Sequence, residues 1–137
     1  MAVNYLASLK TNRMNLVVNA LGTATGPTIS VTGTAAGTLV IGTSALSGAT
    51  GVLATITLST TPATVSGNVL TISGVPLSAT ASATGTAALA ELRNNAGTVI
   101  VSGLTVGTSG TDIIISSVAI TSGQTVEVTS GTITHAA

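Results

Sequence analysis

The chain has 137 residues, of which three are Lys or Arg and three are Asp or Glu, so its formal net charge is zero. An average soluble domain is about 25% charged, whereas this chain is 4% charged and contains no cysteine. Three cations do not make a nucleic-acid surface, and disulfides and thiolate chemistry are excluded. Because so few charges give little protection against association, we expect much of the surface to be covered in an assembly.

The N-terminal segment differs in character from the rest of the chain. Residues 3–21 contain no Gly or Pro and predict one helix, so we assign residues 1–22 to an N-terminal helix or docking arm. At about 100° per residue, its polar residues fall in one narrow arc, namely Asn4, Ser8, Thr11, Asn12, Asn15 and Asn19. The remaining apolar arc is wider than the face needed to lie on one sheet. We therefore expect this helix to contact both its own body and a partner.

Two cations lie in the middle of that apolar arc. Lys10 and Arg13 are three residues apart and are neighbours on a helix surface. Their side chains either lie along apolar surface with their charged ends in water, or they meet carboxylates on a partner. The width of the arc favours docking. We accordingly predict a partner interface formed by Tyr5, Leu6, Leu9, Lys10 and Arg13.

Residues 23–137 predict a single β domain. Gly recurs every few residues and β-branched residues dominate, which is typical of short strands separated by turns. The predicted strands cover residues 28–31, 38–42, 52–58, 63–65, 69–72, 86–93, 98–101, 112–116 and 125–129, with Ile133 in a last segment after Gly131. No helices intervene. The fold class is therefore mainly β, an antiparallel β-sandwich or jelly roll of about eight short strands preceded by the N-terminal helix.

Alternation of apolar and polar residues predicts which side chains face the core. In the third strand the inward residues are Val52, Ala54, Ile56 and Leu58, and the outward residues are Thr55 and Thr57. In the strand at 125–129, Val126 and Val128 point inward. The Thr-x-Thr patterns along the chain have irregular gaps, so we interpret these threonines as strand residues with an outward hydroxyl.

Turn residues predict two hairpins and one fully covered strand. Ser66-Gly67-Asn68 predicts a tight hairpin, and Asn94-Asn95-Ala96-Gly97 supplies residues that tolerate a positive φ. The run Asp112-Ile113-Ile114-Ile115 predicts a strand covered on both faces.

Reactive residue types are scarce. His135 is the sole histidine and lies near the C-terminal end, and the acids are Glu91, Asp112 and Glu127. Nucleophilic catalysis needs a base within reach, and metal sites need several ligands, so we predict no catalytic, cofactor or metal residue and no enzyme. A carboxylate pair for glycoside hydrolysis is formally possible, but surface or ion-paired acids are the favoured interpretation. Glu91 and Arg93 share one strand face and could pair with neighbours across the sheet.

A spanning helix is not predicted, because it needs about 20 consecutive, mainly apolar residues. The longest purely apolar runs, such as 99–101 and 113–115, are much shorter. We therefore expect neither a membrane nor a nucleic acid as partner.

Several stretches resemble small virion-associated proteins of tailed bacteriophages. They are Met1-Ala2-Val3-Asn4-Tyr5-Leu6, Leu9-Lys10, Arg13-Met14, Gly51-Val52-Leu53-Ala54-Thr55-Ile56, Thr84-Gly85-Thr86-Ala87-Ala88, Gly103-Leu104-Thr105-Val106-Gly107-Thr108-Ser109-Gly110 and Ile133-Thr134-His135-Ala136. The resemblance covers nearly the whole chain, although each stretch is of low complexity.

The resemblance implies a head decoration, or cement, protein. Such a protein binds the major capsid protein on the outer surface of the virion and forms a homo-oligomer, a dimer or a trimer, without a cofactor. It is made in the cytoplasm of the bacterial host. The alternative is a tail fibre or receptor-binding subunit, which shares this composition. The short length and the single aromatic residue disfavour that alternative, because sugar-binding sites usually use aromatic side chains.

Overall fold

A computed structural model of the chain describes Val17 and residues 37–58, 63–66, 69–94 and 97–134. The strand predicted at 28–31 and most of the predicted N-terminal helix lie outside these residues. Val17 itself has a helical backbone conformation and packs, half-buried, against the hydrophobic core.

The described residues form a mainly β structure, as predicted. Its eleven strands within those residues are β1 (Thr38–Ser47), β2 (Thr50–Thr57), β3 (Ala63–Ser66), β4 (Val69–Ile72), β5 (Leu77–Thr80), β6 (Gly85–Thr86), β7 (Leu89–Arg93), β8 (Val99–Gly107), β9 (Ile113–Ile115), β10 (Ala119–Ile120) and β11 (Thr125–Thr134).

Nine of these strands form one large mixed sheet. Its hydrogen-bonded path runs β2-β1-β7-β8-β9-β11-β4-β3, β5 also pairs with β11, and β6 with β10 forms a separate two-stranded sheet. Every pair is antiparallel except β8 and β9, which are parallel. The β class is confirmed, but the sandwich or jelly roll is not, because the hydrogen-bonded path is continuous and mixed.

β4 and β5 lie end to end along one side of β11. The second half of β11 pairs with β4 and its first half with β5, while β9 occupies the other side. The connection between β4 and β5 contains Gly74, with φ of 76°, and a cis Val75–Pro76 peptide bond. These two strands therefore act as one interrupted strand of the sheet.

The residues after β5 bring β2, one end of the hydrogen-bonded path, close to β11. Ala81 N donates to Gln124 O at 2.7 Å, just before β11, and Ser82 N donates to Leu53 O of β2 at 2.8 Å. Successive amides of an extended chain point to opposite sides, so residues 81–82 link β11 to β2. The sheet thus curls so that its edge strand β2 lies beside the continuation of β5.

The predicted alternation in β2 holds except at its bulge. Ala54, Ile56 and Leu58 are buried, and Thr55 and Thr57 are exposed, as predicted. Val52 is only half-buried, and Leu53 is 1% exposed instead. The reason is a register shift, in which Ile41 pairs with Ala54 but Gly42 pairs with Val52. Leu53 is thus an extra residue in a bulge, and its side chain joins the core.

A second bulge lies within β11, which the sequence pattern predicts as two separate segments. Val126 and Val128 are buried, as predicted, but the strand continues to Thr134 and includes Ile133. The register with β9 shifts between Val128 and Ser130. After this shift Gly131 faces the core, where an added Cβ would lie 2.6 Å from Ile72 Cδ1. β11 therefore buries even-numbered positions before the bulge and odd-numbered positions after it.

Both predicted hairpins are confirmed. Ser66 pairs with Val69 across the first, and β7 pairs antiparallel with β8 across the second, with Gly97 at φ of 86°. The prediction for the isoleucine run was wrong in part. Ile113 and Ile115 are buried, but Ile114 is half-buried, because β9 presents its outward face at the surface.

The single strand predicted at 86–93 is divided into β6 and β7. Ala87 N donates to Val118 O at 2.8 Å, and Ala88 N donates to Gly42 O at 2.9 Å. Successive amides here bond to different sheets, and the chain passes from one sheet to the other at these two alanines.

Candidate interaction surface

Two of the charged side chains in the described residues form an ion pair within β7. Arg93 Nη2 lies 2.8 Å from Glu91 Oε2, and Arg93 Nε donates to the same oxygen at 3.1 Å. The residues share a strand face, as predicted, and they pair with each other. Arg93 Nη2 also donates to Gly48 O at 2.6 Å, so Arg93 joins Glu91 to the β1–β2 connection.

The hydrogen bond to Gly48 shows that the tip of the β1–β2 hairpin (residues 43–50) folds back. Arg93 pairs with Thr38 at the start of β1, whereas Gly48 follows the end of this 10-residue strand. A straight strand of that length spans about 30 Å, far beyond the reach of an arginine side chain. The hairpin tip must therefore turn back over the outward face of β1 and β7.

Close packing and burial agree with that geometry. A Cβ added at Gly42 would lie 2.6 Å from Leu46 Cδ1, so the hairpin tip passes closely over the backbone of β1. Glu91 is only 7% exposed, although its strand neighbours Ala90 and Leu92 point into the core. The outward face of β1 and β7 is thus a covered face.

Asp112 closes the loop that joins the two parallel strands. Its Oδ2 accepts hydrogen bonds from Thr105 N and from Thr105 Oγ1, both at 3.0 Å, and Asp112 N donates to Thr105 Oγ1 at 3.1 Å. Asp112 O accepts from Thr132 N at 2.9 Å. Parallel strands usually need a crossover of a dozen or more residues. Here residues 108–112 suffice, because only two residues of each strand pair and Asp112 holds the turn.

Glu127 is the remaining described acid, and it lies on an exposed face. Val126 and Val128 point inward, so Glu127 points outward, and it pairs in register with Ser78 of β5. No side-chain hydrogen bond or ion pair of Glu127 occurs within the described residues.

Hydroxyl side chains share with Glu127 the outer surface of β11, β5, β4 and β3. Thr125 pairs with Thr80, and Thr132 pairs with Thr71, which pairs in turn with Thr64. All the members of this surface are exposed except Thr132, which is half-buried. We call it the hydroxyl face, formed by Thr64, Thr71, Ser78, Thr80, Thr125, Glu127, Thr129 and Thr132.

The acids do not converge on a reactive centre in the described part of the chain. Glu91 binds Arg93 on β7, Asp112 binds Thr105 before β9, and Glu127 lies on β11. No group of three or more His, Cys, Asp or Glu residues that could hold a metal ion occurs there. Nor do those residues contain a helix of the length and apolar character needed to cross a membrane.

The predicted partner interface lies outside the described residues. This holds for Tyr5, Leu6, Leu9, Lys10 and Arg13, and it also holds for His135. The structure instead brings together the hydroxyl face, which the sequence analysis missed. Its signal was present in the outward threonines of the alternating strands, but their cross-strand neighbours depend on long-range pairing.

Comparison with known proteins gives no relative for this arrangement. The chain matches no known protein family, no curated protein and no solved structure.

Proposed function

We propose that this chain is a structural protein of a tailed-phage virion that decorates and stabilises the outer surface of the capsid. The observation that carries the proposal is where the charged side chains of the described residues lie. Glu91 and Arg93 form one internal ion pair, and Asp112 closes a loop. The hydroxyl face carries Ser and Thr hydroxyls and one acid, Glu127. Such a surface suits contact rather than catalysis, in agreement with the phage resemblance of the sequence.

In this role the protein acts without an enzymatic step. A copy that binds only the assembled lattice shifts the equilibrium toward that lattice by mass action. Its partners are the major capsid protein and other copies of this chain, in a dimer or trimer. Many copies of modest affinity then act together through multivalency. We include in this proposal that the β domain packs its strands as a sandwich, with the N-terminal arm as a second contact.

The experiment is cryo-electron microscopy of the virion that contains this chain, together with its copy number from quantitative mass spectrometry. A decoration protein gives density on the outer shell and a copy number comparable to that of the capsid subunit. Density confined to the tail, with few copies per particle, would contradict the proposal and favour a tail fibre or receptor-binding role.

A further inference from the structure

We infer that the hairpin tip (residues 43–50) is a strap that opens over the outward face of β1 and β7 while the sheet itself stays folded. When it is closed, it covers Val40 and Glu91. When it is open, it exposes an apolar side chain beside an ion pair, so this face of the protein has two states. The inference goes beyond the proposed function and does not depend on it.

Val40 and Glu91 lie beneath the hairpin tip on the outward face of the sheet. They pair with each other across β1 and β7, so their side chains are on the same face. Val40 is 2% exposed, although it lies outside the core cluster to which its neighbours Leu39 and Ile41 belong. Thr55, which pairs with Val40 from β2, is exposed. The cover over Val40 is therefore narrow, as a two-stranded hairpin is, and it does not extend over Thr55.

Within the described part of the chain, few side chains hold the hairpin tip against the sheet. Arg93 Nη2 donates to Gly48 O at 2.6 Å, and the Leu46 side chain lies close over Gly42. Of residues 43–50, Thr43 and Leu46 are half-buried and the others are exposed. Segments with few buried apolar contacts open at a lower cost in free energy than core strands do. We therefore expect the hairpin tip to open far more often than the whole protein unfolds.

A break in the β1–β2 ladder separates the hairpin tip from the sheet. The register shifts between Gly42 and Ser47, so residues 43–46 lie opposite Gly51 alone. Gly51 has a φ of 73°, a left-handed conformation that glycine adopts readily. Hinges are usually a few such residues at the ends of regular elements. Because the ladder is already interrupted here, the hairpin tip can swing away without breaking the pairing of residues 38–42.

The test uses single-cysteine variants of the full chain, which has no cysteine of its own. Val40→Cys places a thiol beneath the hairpin tip. Val128→Cys, the matched control, makes the same substitution at a fully buried position of the core. The reaction of each thiol with a water-soluble disulfide reagent is followed in the folded protein, and circular dichroism confirms that both variants are folded.

Local opening gives a distinct pattern of reaction rates. The thiol of Val40→Cys should react at least about tenfold faster than that of Val128→Cys, because the core thiol becomes accessible only on global unfolding. Low concentrations of urea should hardly change the first rate and should raise the second, since the effect of urea grows with the surface that is exposed.

A second substitution tests whether the hairpin tip is the moving part. Leu46→Ala should speed the reaction of Val40→Cys about fivefold, because a half-buried side chain of the hairpin tip loses its contact. It should leave the reaction of Val128→Cys unchanged. Ser44→Ala, at an exposed position of the hairpin tip, is the control and should change neither rate.

Equal rates with the same dependence on urea would overturn the inference, because the hairpin tip would then open only when the whole protein unfolds. Reaction of Val40→Cys at the rate of an unfolded chain would also overturn it, because Val40 would not be covered. If Val40→Cys does not fold, nuclear magnetic resonance of the unmodified chain gives the same test through the Arg93 Nε proton, which is donated to Glu91 Oε2 at 3.1 Å. Its exchange with water should be independent of low urea, and exchange that follows global unfolding would overturn the inference.

Discussion

Arg93 connects β7 to the folded hairpin tip, and replacing it with alanine should destabilise the protein strongly. In Arg93→Ala, Glu91 Oε2 loses the donors at 2.8 and 3.1 Å, and Gly48 O loses its donor at 2.6 Å. The carboxylate of Glu91 then remains in place without its cation. The consequence depends on how well water can replace the guanidinium.

The burial of the pair sets the size of the effect. The side chains of Arg93 and Glu91 are 16% and 10% exposed. An exposed ion pair contributes about 0–1 kcal/mol, whereas removing one partner of a buried pair costs about 3–5 kcal/mol. With slight access to water, we expect Arg93→Ala to lower the free energy of unfolding by about 2–4 kcal/mol. For a chain of this length, that corresponds to a fall in Tm of roughly 10 °C.

A double variant separates the unpaired charge from the lost packing. Glu91→Leu with Arg93→Met leaves no buried charge and should be clearly more stable than Arg93→Ala. Unfolding is followed by far-ultraviolet circular dichroism, because the chain has no Trp and a single Tyr. Backbone amide exchange across residues 43–50 should also be faster in Arg93→Ala. A stability within about 0.5 kcal/mol of wild type, or a double variant as unstable as the single one, would refute this reasoning.

Three further changes test the core and the loop closure. Gly131→Ala should lower the free energy of unfolding by about 1–3 kcal/mol, because the new Cβ would lie 2.6 Å from Ile72 Cδ1. Adding Ile72→Val removes that atom and should restore part of the lost stability in urea unfolding. No restoration would contradict the contact. Asp112→Ala removes the acceptor of two hydrogen bonds and should lower the free energy of unfolding by about 1–2 kcal/mol. Backbone amide exchange in residues 108–112 should become faster. Unchanged exchange would contradict the role of Asp112 in closing the loop. Leu39→Ala, at a fully buried site, should lower the free energy of unfolding by about 2–5 kcal/mol. Val99→Ala, at a site 41% exposed, should change it by less than about 0.5 kcal/mol. Equal losses in the two variants would show that the core is misplaced.

The candidate surface could be predicted only in part. Alternation in 125–129 places Thr125, Glu127 and Thr129 on one outward face from the sequence alone. Their neighbours Ser78 and Thr80 come from a strand that was not predicted, and they reach Glu127 through pairing with residues far along the chain. The cover over the outward face of β1 and β7 likewise depends on the hairpin tip. No local sequence pattern predicts that this hairpin tip folds back.

The sequence by itself determined the β class, two hairpins and most inward positions of the strands. These features follow from local chemistry: β-branched residues favour the pleated backbone, Gly and Asn permit turns, and alternation with period two sorts the side chains. Only the tertiary structure decided the bulges at Leu53 and near Ser130, the parallel pairing of β8 with β9 and the ion pair of Glu91 with Arg93. A bulge reverses the alternation when burial of a side chain such as Leu53 outweighs a regular ladder, and that balance depends on which distant strands supply the core.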